Sequence, residues 1–353
     1  MTDGTEPSAP PDTALPRWRD EGWLREARAW FTDRLTEAGV DIGDAQVEQV
    51  RAVPWSTLLR VATGAGTFWF KANAVGVGHE AGLVAVLALR CRGHVLSPVA
   101  VDAERGWLLV PDGGRTMRQV EGASADLAMW ERMLLEYAEM QRVAEPYVDE
   151  MLAAGTPDRR PERLPAVRDA LLADRGLLMV GQPDGLTEEQ HDALVAGAPA
   201  YAAMCAELAE VGVPSSLQHD DLHDNNVFAP EAPGGPMRVF DWGDAVVGQP
   251  FGTLLVTLRV VAHWTGLPNG APELLRLRDA YLEPWTDGWD RAALDEACRL
   301  ALRVGGVLRS DCYRRALLEA TPAGWAEFGD GVPQWLLEGE LPTPLEPAVT
   351  PAR

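Results

Sequence analysis

Residues 217–228 read LQHDDLHDNNVF, so Asp220, Asp221 and Asp224 fall within five residues, flanked by His219 and His223. Carboxylates this close oppose one another's ionisation, and the cluster requires a counter-charge. Nearby, the runs NNVFAP and MRVFDW flank EAPGGP, with the turn at EAPGG, which reads as a β-hairpin. A hairpin brings its open ends together, so Asn226 at the start and Asp241 at the finish come side by side. An amide oxygen and a carboxylate are hard ligands suited to Mg²⁺, which completes its shell with phosphate oxygens and water. Such an ion would also neutralise the acidic cluster. Asp221, in the loop leading into the hairpin, can accept a hydrogen bond from a hydroxyl that is to be phosphorylated.

Composition bounds the partners. The chain has 353 residues, 46% of them apolar, and a formal net charge of -22. With that charge nucleic acid is not an expected partner, because a phosphate backbone requires clustered Lys and Arg. A cationic small molecule would be drawn in, whereas a nucleotide would need a bridging metal or a local basic group. Cys91, Cys205, Cys298 and Cys312 are scattered without CxxC spacing, and they read as free thiols in a reducing cytoplasm. The N-terminal stretch MTDGTEPSAPPDTALP does not resemble a signal peptide, and no apolar run is long enough to predict a membrane span.

The elements that must position this chemistry follow from periodicity. Residues 1–16 and 341–353 read as flexible ends. Residues 17–39 have helical spacing, with Trp18, Trp23, Leu24, Ala27, Trp30, Phe31 and Leu35 on one face. Residues 45–111 read as five short strands with one helix after the third. Beyond 112 the pattern is helical, at 124–144, 187–211, 250–265, 271–283, 290–308 and 310–320, interrupted by the hairpin. The expected fold class is α+β: an N-terminal lobe over 17–111, carrying a small antiparallel sheet, and a larger, mostly helical C-terminal lobe over 112–340. A ligand cleft should lie between them.

The pattern His219-x-Asp221, four residues, then Asn226, followed by FDWGDA at 240–245, resembles the aminoglycoside phosphotransferase and choline kinase family of small-molecule kinases. That family has a two-lobed protein-kinase-like fold. The resemblance implies ATP and Mg²⁺ as cofactors, Asp221 as the catalytic base, and Asn226 and Asp241 as metal ligands. It also implies that Lys71, in the strand FWFKA, pairs with Glu80 on the next helix and grips the α- and β-phosphates. GWLLVPDGG matches the fifth strand and hinge, where backbone groups near Val110 and Asp112 would face adenine.

Two departures stand out. VPWSTLLR replaces the glycine-rich loop, so Ser56, Thr57 and backbone N–H groups would have to cap the phosphates. His223 stands two residues after Asp221, where protein kinases often place a lysine, and it could donate to the γ-phosphate. His219 reads as a brace for the loop, with a catalytic role as the alternative, and Asp220 and Asp244 read as surface or supporting groups. Trp264, Trp285, Trp289, Trp325 and Trp335 read as packing residues, although together they could form an aromatic cage for a quaternary amine.

For the acceptor, the charge balance favours a cationic amino sugar. The two lobes resemble most the actinobacterial family members that phosphorylate glucosamine, which implies formation of glucosamine 6-phosphate. Asp224 and Asp311 are the candidates for holding its amine, although Asp311 could instead pair within its helix with Arg314 and Arg315. The alternatives are an aminoglycoside O-phosphotransferase that confers resistance and a choline or amino-alcohol kinase. A catalytically dead kinase fold used as a binding module is the competing class.

Overall fold

The computed structural model describes residues 13–347 except Pro233. The expectations for residues 1–12 and 348–353 fall outside this range. Residues 13–16 and 341–347, expected to be flexible, are packed in part, with Pro16, Leu341 and Pro347 exposed. Ala14 and Leu15 are buried in the cluster that includes Trp18, and Thr343 is buried beside Glu346, which pairs with Arg303 at 2.9 Å.

The N-terminal region contains helix α1 (Glu21–Glu37), strands β1 (Gln46–Ala52), β2 (Ser56–Thr63) and β3 (Gly66–Asn73), helix α2 (His79–Arg90), and strands β4 (Ala100–Asp102) and β5 (Trp107–Pro111). The five strands pair antiparallel in the order β1-β2-β3-β5-β4. Asp20 caps α1 by accepting from the Trp23 amide at 2.8 Å. The buried face of α1, with Ala27, Phe31 and Leu35, packs on Leu59, Val61, Phe70, Trp107 and Leu109 of the sheet. Strand alternation leaves Leu58, Lys71 and Leu108 on the opposite face, toward α2.

The C-terminal region begins with α3 (Leu127–Ala144), α4 (Val148–Ala153), β6 (Asp158–Arg159), α5 (Leu164–Ala173), α6 (Glu188–Ala196) and α7 (Ala198–Glu210). It continues with β7 (Ser216–Gln218), β8 (Val227–Phe228), β9 (Arg238–Val239) and β10 (Val246–Gly248). Helices α8 (Leu254–Thr265), α9 (Pro272–Leu282), α10 (Arg291–Ala316), α11 (Pro322–Phe328) and α12 (Gly331–Glu338) complete it. The sequence reading divides α10 at 308–310, but the chain runs through as one helix of 26 residues. Ser310 sits on its buried side and donates to the Val332 carbonyl at 2.8 Å. The expected helix over 187–211 divides at Gly197 into α6 and α7, because Pro199 opens a new first turn.

Two small ladders hold the acidic loops. β8 pairs with β9, matching Val227 to Val239, and β7 pairs with β10, matching Gln218 to Val246. The loop 219–226 therefore hangs between β7 and β8, and the loop 240–245 between β9 and β10. Each is pinned at both ends, and the pinning strands are neighbours. The hairpin is legible in the sequence; the β7·β10 pair, whose strands are three residues each, is not.

Candidate active site

Lys71, the chain's single lysine, lies near the end of β3 and is 9% exposed. Its Nζ is 2.6 Å from Glu80 Oε2 and 2.5 Å from Asp241 Oδ1. Burial pulls the ammonium's pKa down, but the charges of Asp241 and then Glu80 outweigh it, so the net shift is upward. Glu80, at 1% exposure, accepts from the Asn73 side chain at 2.9 Å through Oε2 and from the Trp242 amide at 3.0 Å through Oε1. One carboxylate thus fixes the lysine and the backbone next to Asp241.

Asp241 occupies the left-handed region at φ 64°, a conformation Asp tolerates better than most residues. The Phe240 amide donates to the Asn226 carbonyl at 3.0 Å, which closes the hairpin base and brings Asn226 and Asp241 together. The Asn226 Nδ2 donates to the Asp221 carbonyl at 2.9 Å and lies 3.4 Å from Asp221 Oδ2. With its nitrogen so engaged, the amide has no partner for its Oδ1 among the described residues, and that oxygen can serve as a ligand. Burial pushes the Asp241 carboxyl up, yet Lys71 and Arg51 hold it at about 2. An ionised carboxylate and an amide oxygen are a donor set that fits Mg²⁺.

His219 is fully buried and braces both loops. Its Nε2 donates to the Phe240 carbonyl at 3.0 Å, while Nδ1 accepts from the Asp221 amide at 3.2 Å. Burial lowers its pKa, in keeping with a neutral brace. His223 Nδ1 accepts from the Asn225 amide at 3.1 Å, which leaves Nε2 3.4 Å from Asp221 Oδ2. Its donor is therefore directed at Asp221. Burial pulls the imidazole down, but the hydrogen bond to Asp221 and its charge raise it on balance.

The sequence reading misses Arg309, on α10 and 5% exposed. Its Nη1 donates to the Asp220 carbonyl at 2.8 Å and to Asp244 Oδ2 at 3.0 Å; its Nη2 is 3.3 Å from Asp221 Oδ1. The guanidinium also lies near the Tyr313 and Trp335 rings, 5.7 and 5.4 Å from their centroids. Burial pushes the Asp221 carboxyl up, but Arg309 and then His223 hold it well below the usual carboxylate range. The sequence points to a metal ion as the cluster's counter-charge; much of that charge is this arginine. The cluster's need for a cation is the available signal, but nothing in local spacing points to α10.

Several expectations are corrected. Asp224 is 0% exposed and accepts from Arg118 Nη2 at 2.8 Å, with its other oxygen taken by Ser124, so it is not open to an incoming amine. Asp311 is equally closed, held by Arg159 at 2.8 Å, Arg314 at 2.6 Å and Arg315 at 3.3 Å. Asp220 is not a surface group, for it is buried between Gln218 and Cys312. Thr57 pairs with Ala72 on the α1 side of the sheet, and its hydroxyl is spent on the Arg51 carbonyl at 2.9 Å, so it cannot cap a phosphate. Ser56 does share the Lys71 face but is fully buried.

At the connector, the Asp112 amide donates to the Thr67 carbonyl at 3.0 Å. By antiparallel alternation the Val110–Trp69 pair is of the same bonded type, so the polar groups of both Val110 and Asp112 turn to β3. The β5 carbonyls pointing the other way are Leu109, which accepts from the Val99 amide at 2.7 Å, and Pro111. Gly113 is required next to them, since a Cβ there would lie 2.3 Å from the Phe228 ring, which stacks on Phe240 at 4.2 Å. The late tryptophans do not form one cage: Trp285 packs on Phe251, Trp335 lies by Arg309, and Trp264 lies by Arg118.

Among solved structures, an ethanolamine kinase from Plasmodium vivax superposes with a TM-score of 0.62 at 11% identity, covering 92% of this chain and 90% of its own. The choline kinase LicA from Streptococcus pneumoniae gives 0.54 at 13% identity, covering 89% and 99%. A macrolide 2'-phosphotransferase from Brachybacterium faecium gives 0.50 at 16% identity, covering 86% and 97%. These likenesses give the chain a protein-kinase-like fold. No curated protein sequence matches it. Residues 73–297 match the family described as phosphotransferase enzymes, a span that takes in Glu80, Asp221, Asn226 and Asp241. The chain belongs to that phosphotransferase enzyme family.

Proposed function

We propose that the protein transfers the γ-phosphoryl group of ATP to a hydroxyl of a small molecule. The observation that carries this reading is the meeting of Lys71 with Glu80 and Asp241, beside a hairpin base that also presents Asn226 and Asp221. Lys71 grips the nucleotide phosphates, and Asn226 Oδ1 and the Asp241 carboxylate hold Mg²⁺. The metal, when bound, supplies charge neutralisation on the β- and γ-phosphates. Pro111 offers the connector carbonyl nearest in kind to a hinge acceptor. Asp221 accepts the hydrogen bond of the acceptor hydroxyl and orients it. Held so far below the usual range, Asp221 is a weak base, which suits a loose transition state in which the proton leaves late. Positioning and electrostatics then carry most of the rate.

The acceptor we propose is a cationic amino sugar, with glucosamine first, an aminoglycoside second and an amino alcohol third. The net charge of -22 supports a cationic acceptor. Asp224 and Asp311 do not support it, since arginines hold both. All four cysteines are buried and unpaired, which supports a reducing, cytoplasmic setting. The test is ADP release from Mg²⁺-ATP over amino sugars, aminoglycosides, choline and ethanolamine. Glucosamine should turn over much faster than N-acetylglucosamine, which lacks the ammonium; equal rates would remove the amino-sugar reading. No turnover with any acceptor and no Mg²⁺-dependent ATP binding would leave a binding module.

A further inference from the structure

Arg51 lies near the end of β1, and a register shift places it. Gln49 pairs with Leu59, but Arg51 pairs with Leu58, so one extra residue, Val50, is accommodated between them. In an unbroken ladder Arg51 would oppose Thr57 and share the face that packs on α1. The bulge moves it to the other face, because a one-residue slip reverses a strand's orientation. Leu58 in turn pairs with Lys71, so Arg51, Leu58 and Lys71 form one row across three strands. Arg51 and Lys71 are then roughly 9–10 Å apart at the backbone, close enough for both long side chains to reach a common group.

Their partners differ. Lys71 has two carboxylates within 2.6 Å. Arg51 has no ion pair among the described residues; its Nη2 reaches only the Ser56 hydroxyl, at 3.5 Å, and its Nε is buried with no partner. Its charge nonetheless bears on both Asp241 and Lys71. A half-buried guanidinium close to an ammonium, with no carboxylate of its own, is costly until an anion joins them.

The turn between β1 and β2 offers that anion little. The Val53 amide is spent on the Ser56 carbonyl at 2.9 Å, and Pro54 has no N–H. Val53 and Pro54 are also buried. Val53 and Pro54 therefore offer no backbone donor to a phosphate, unlike the residues of a glycine-rich loop. A guanidinium fork, which matches phosphate oxygens two at a time, can supply donors instead.

We propose that Arg51 grips the terminal phosphates of the bound nucleotide, opposite the grip of Lys71. The proposal rests on the kinase reading and adds a triphosphate-specific contact to it. The test is calorimetric titration of wild type, Arg51→Ala and Arg51→Lys with Mg²⁺-ATP, Mg²⁺-ADP and adenosine, with thermal melting of each unliganded protein. Arg51→Ala should weaken ATP at least tenfold, ADP less, and adenosine not at all, with Arg51→Lys in between. ATP affinity within twofold of wild type in a folded Arg51→Ala overturns the proposal and leaves the kinase reading standing. An equal loss for ATP and adenosine also overturns it, since that marks a structural role. If Arg51→Ala does not fold, the ATP-to-adenosine affinity ratio of Arg51→Lys decides by the same criterion. A wild type that binds no Mg²⁺-ATP overturns both readings.

Discussion

Two acidic sites lie two residues apart along α10, and they are built in opposite ways. Around Arg309, one guanidinium is shared by Asp220, Asp221 and Asp244. Around Asp311, three guanidinium groups, from Arg159, Arg314 and Arg315, close on one carboxylate. The first site is short of positive charge and keeps capacity for a hydroxyl proton or another cation. The second is saturated, and its carboxylate is held below the usual range, chiefly by Arg315 and Arg159 against the opposing effect of burial. Carboxylate count alone does not make a site; the ratio of carboxylates to local cations does.

The sharpest way to break this contrast is Asp221→Asn. Turnover should fall by about 10²–10⁴, the usual contribution of a positioned base, with ATP affinity nearly unchanged. Retention of more than a tenth of the wild-type rate would show that Asp221 is not the base.

Arg309→Ala should come next. Stripping one partner from a buried charged cluster costs about 3–5 kcal/mol, read by denaturant unfolding. As a positioning residue, Arg309 should also lower kcat on removal while KM for ATP stays within twofold, and Arg309→Lys should recover part of both losses. A stable Arg309→Ala enzyme with unchanged kcat would remove its claim on Asp221.

Asp311→Asn should show the reverse signature. Stability should drop by about 3 kcal/mol as three arginines lose their shared partner, while kcat per folded molecule holds. A large kcat loss without loss of stability would return Asp311 to the substrate site.

The smallest effect concerns pH. Burial pushes Asp220 up to about 7 against the pull of Arg309, with Asp244 adding to the rise. The folded state then holds a proton that the unfolded state gives up near pH 4, so stability should fall as pH rises from about 4 to about 7. Asp220→Asn should flatten that slope and raise stability at pH 8 relative to wild type. Parallel melting curves for variant and wild type between pH 5 and 8 would show that Asp220 is not the protonated group.

Much of the site is legible in the sequence because it is local. His219, Asp221, Asn226 and Asp241 lie on two loops joined by one hairpin, and hairpin closure follows from alternation and turn residues. The five-stranded sheet is legible for the same reason. Arg309 and Arg51 are not. The first comes from a helix far along the chain, and the second needs a bulge that leaves the alternation of β1 looking ordinary. Asp224 is misread because its partners, Arg118 and Ser124, lie on turns ahead of α3 that carry no motif.

The sequence by itself determined the hairpin and the five-stranded sheet that carry Lys71, Asp221, Asn226 and Asp241, because strand pairing and turns act over a few residues and leave a readable spacing. Tertiary structure alone decided which carboxylates remain available. Charge acts through space, and the arginines that occupy Asp224 and Asp311, or are shared around Asp221, arrive from distant elements whose positions only the packed core sets.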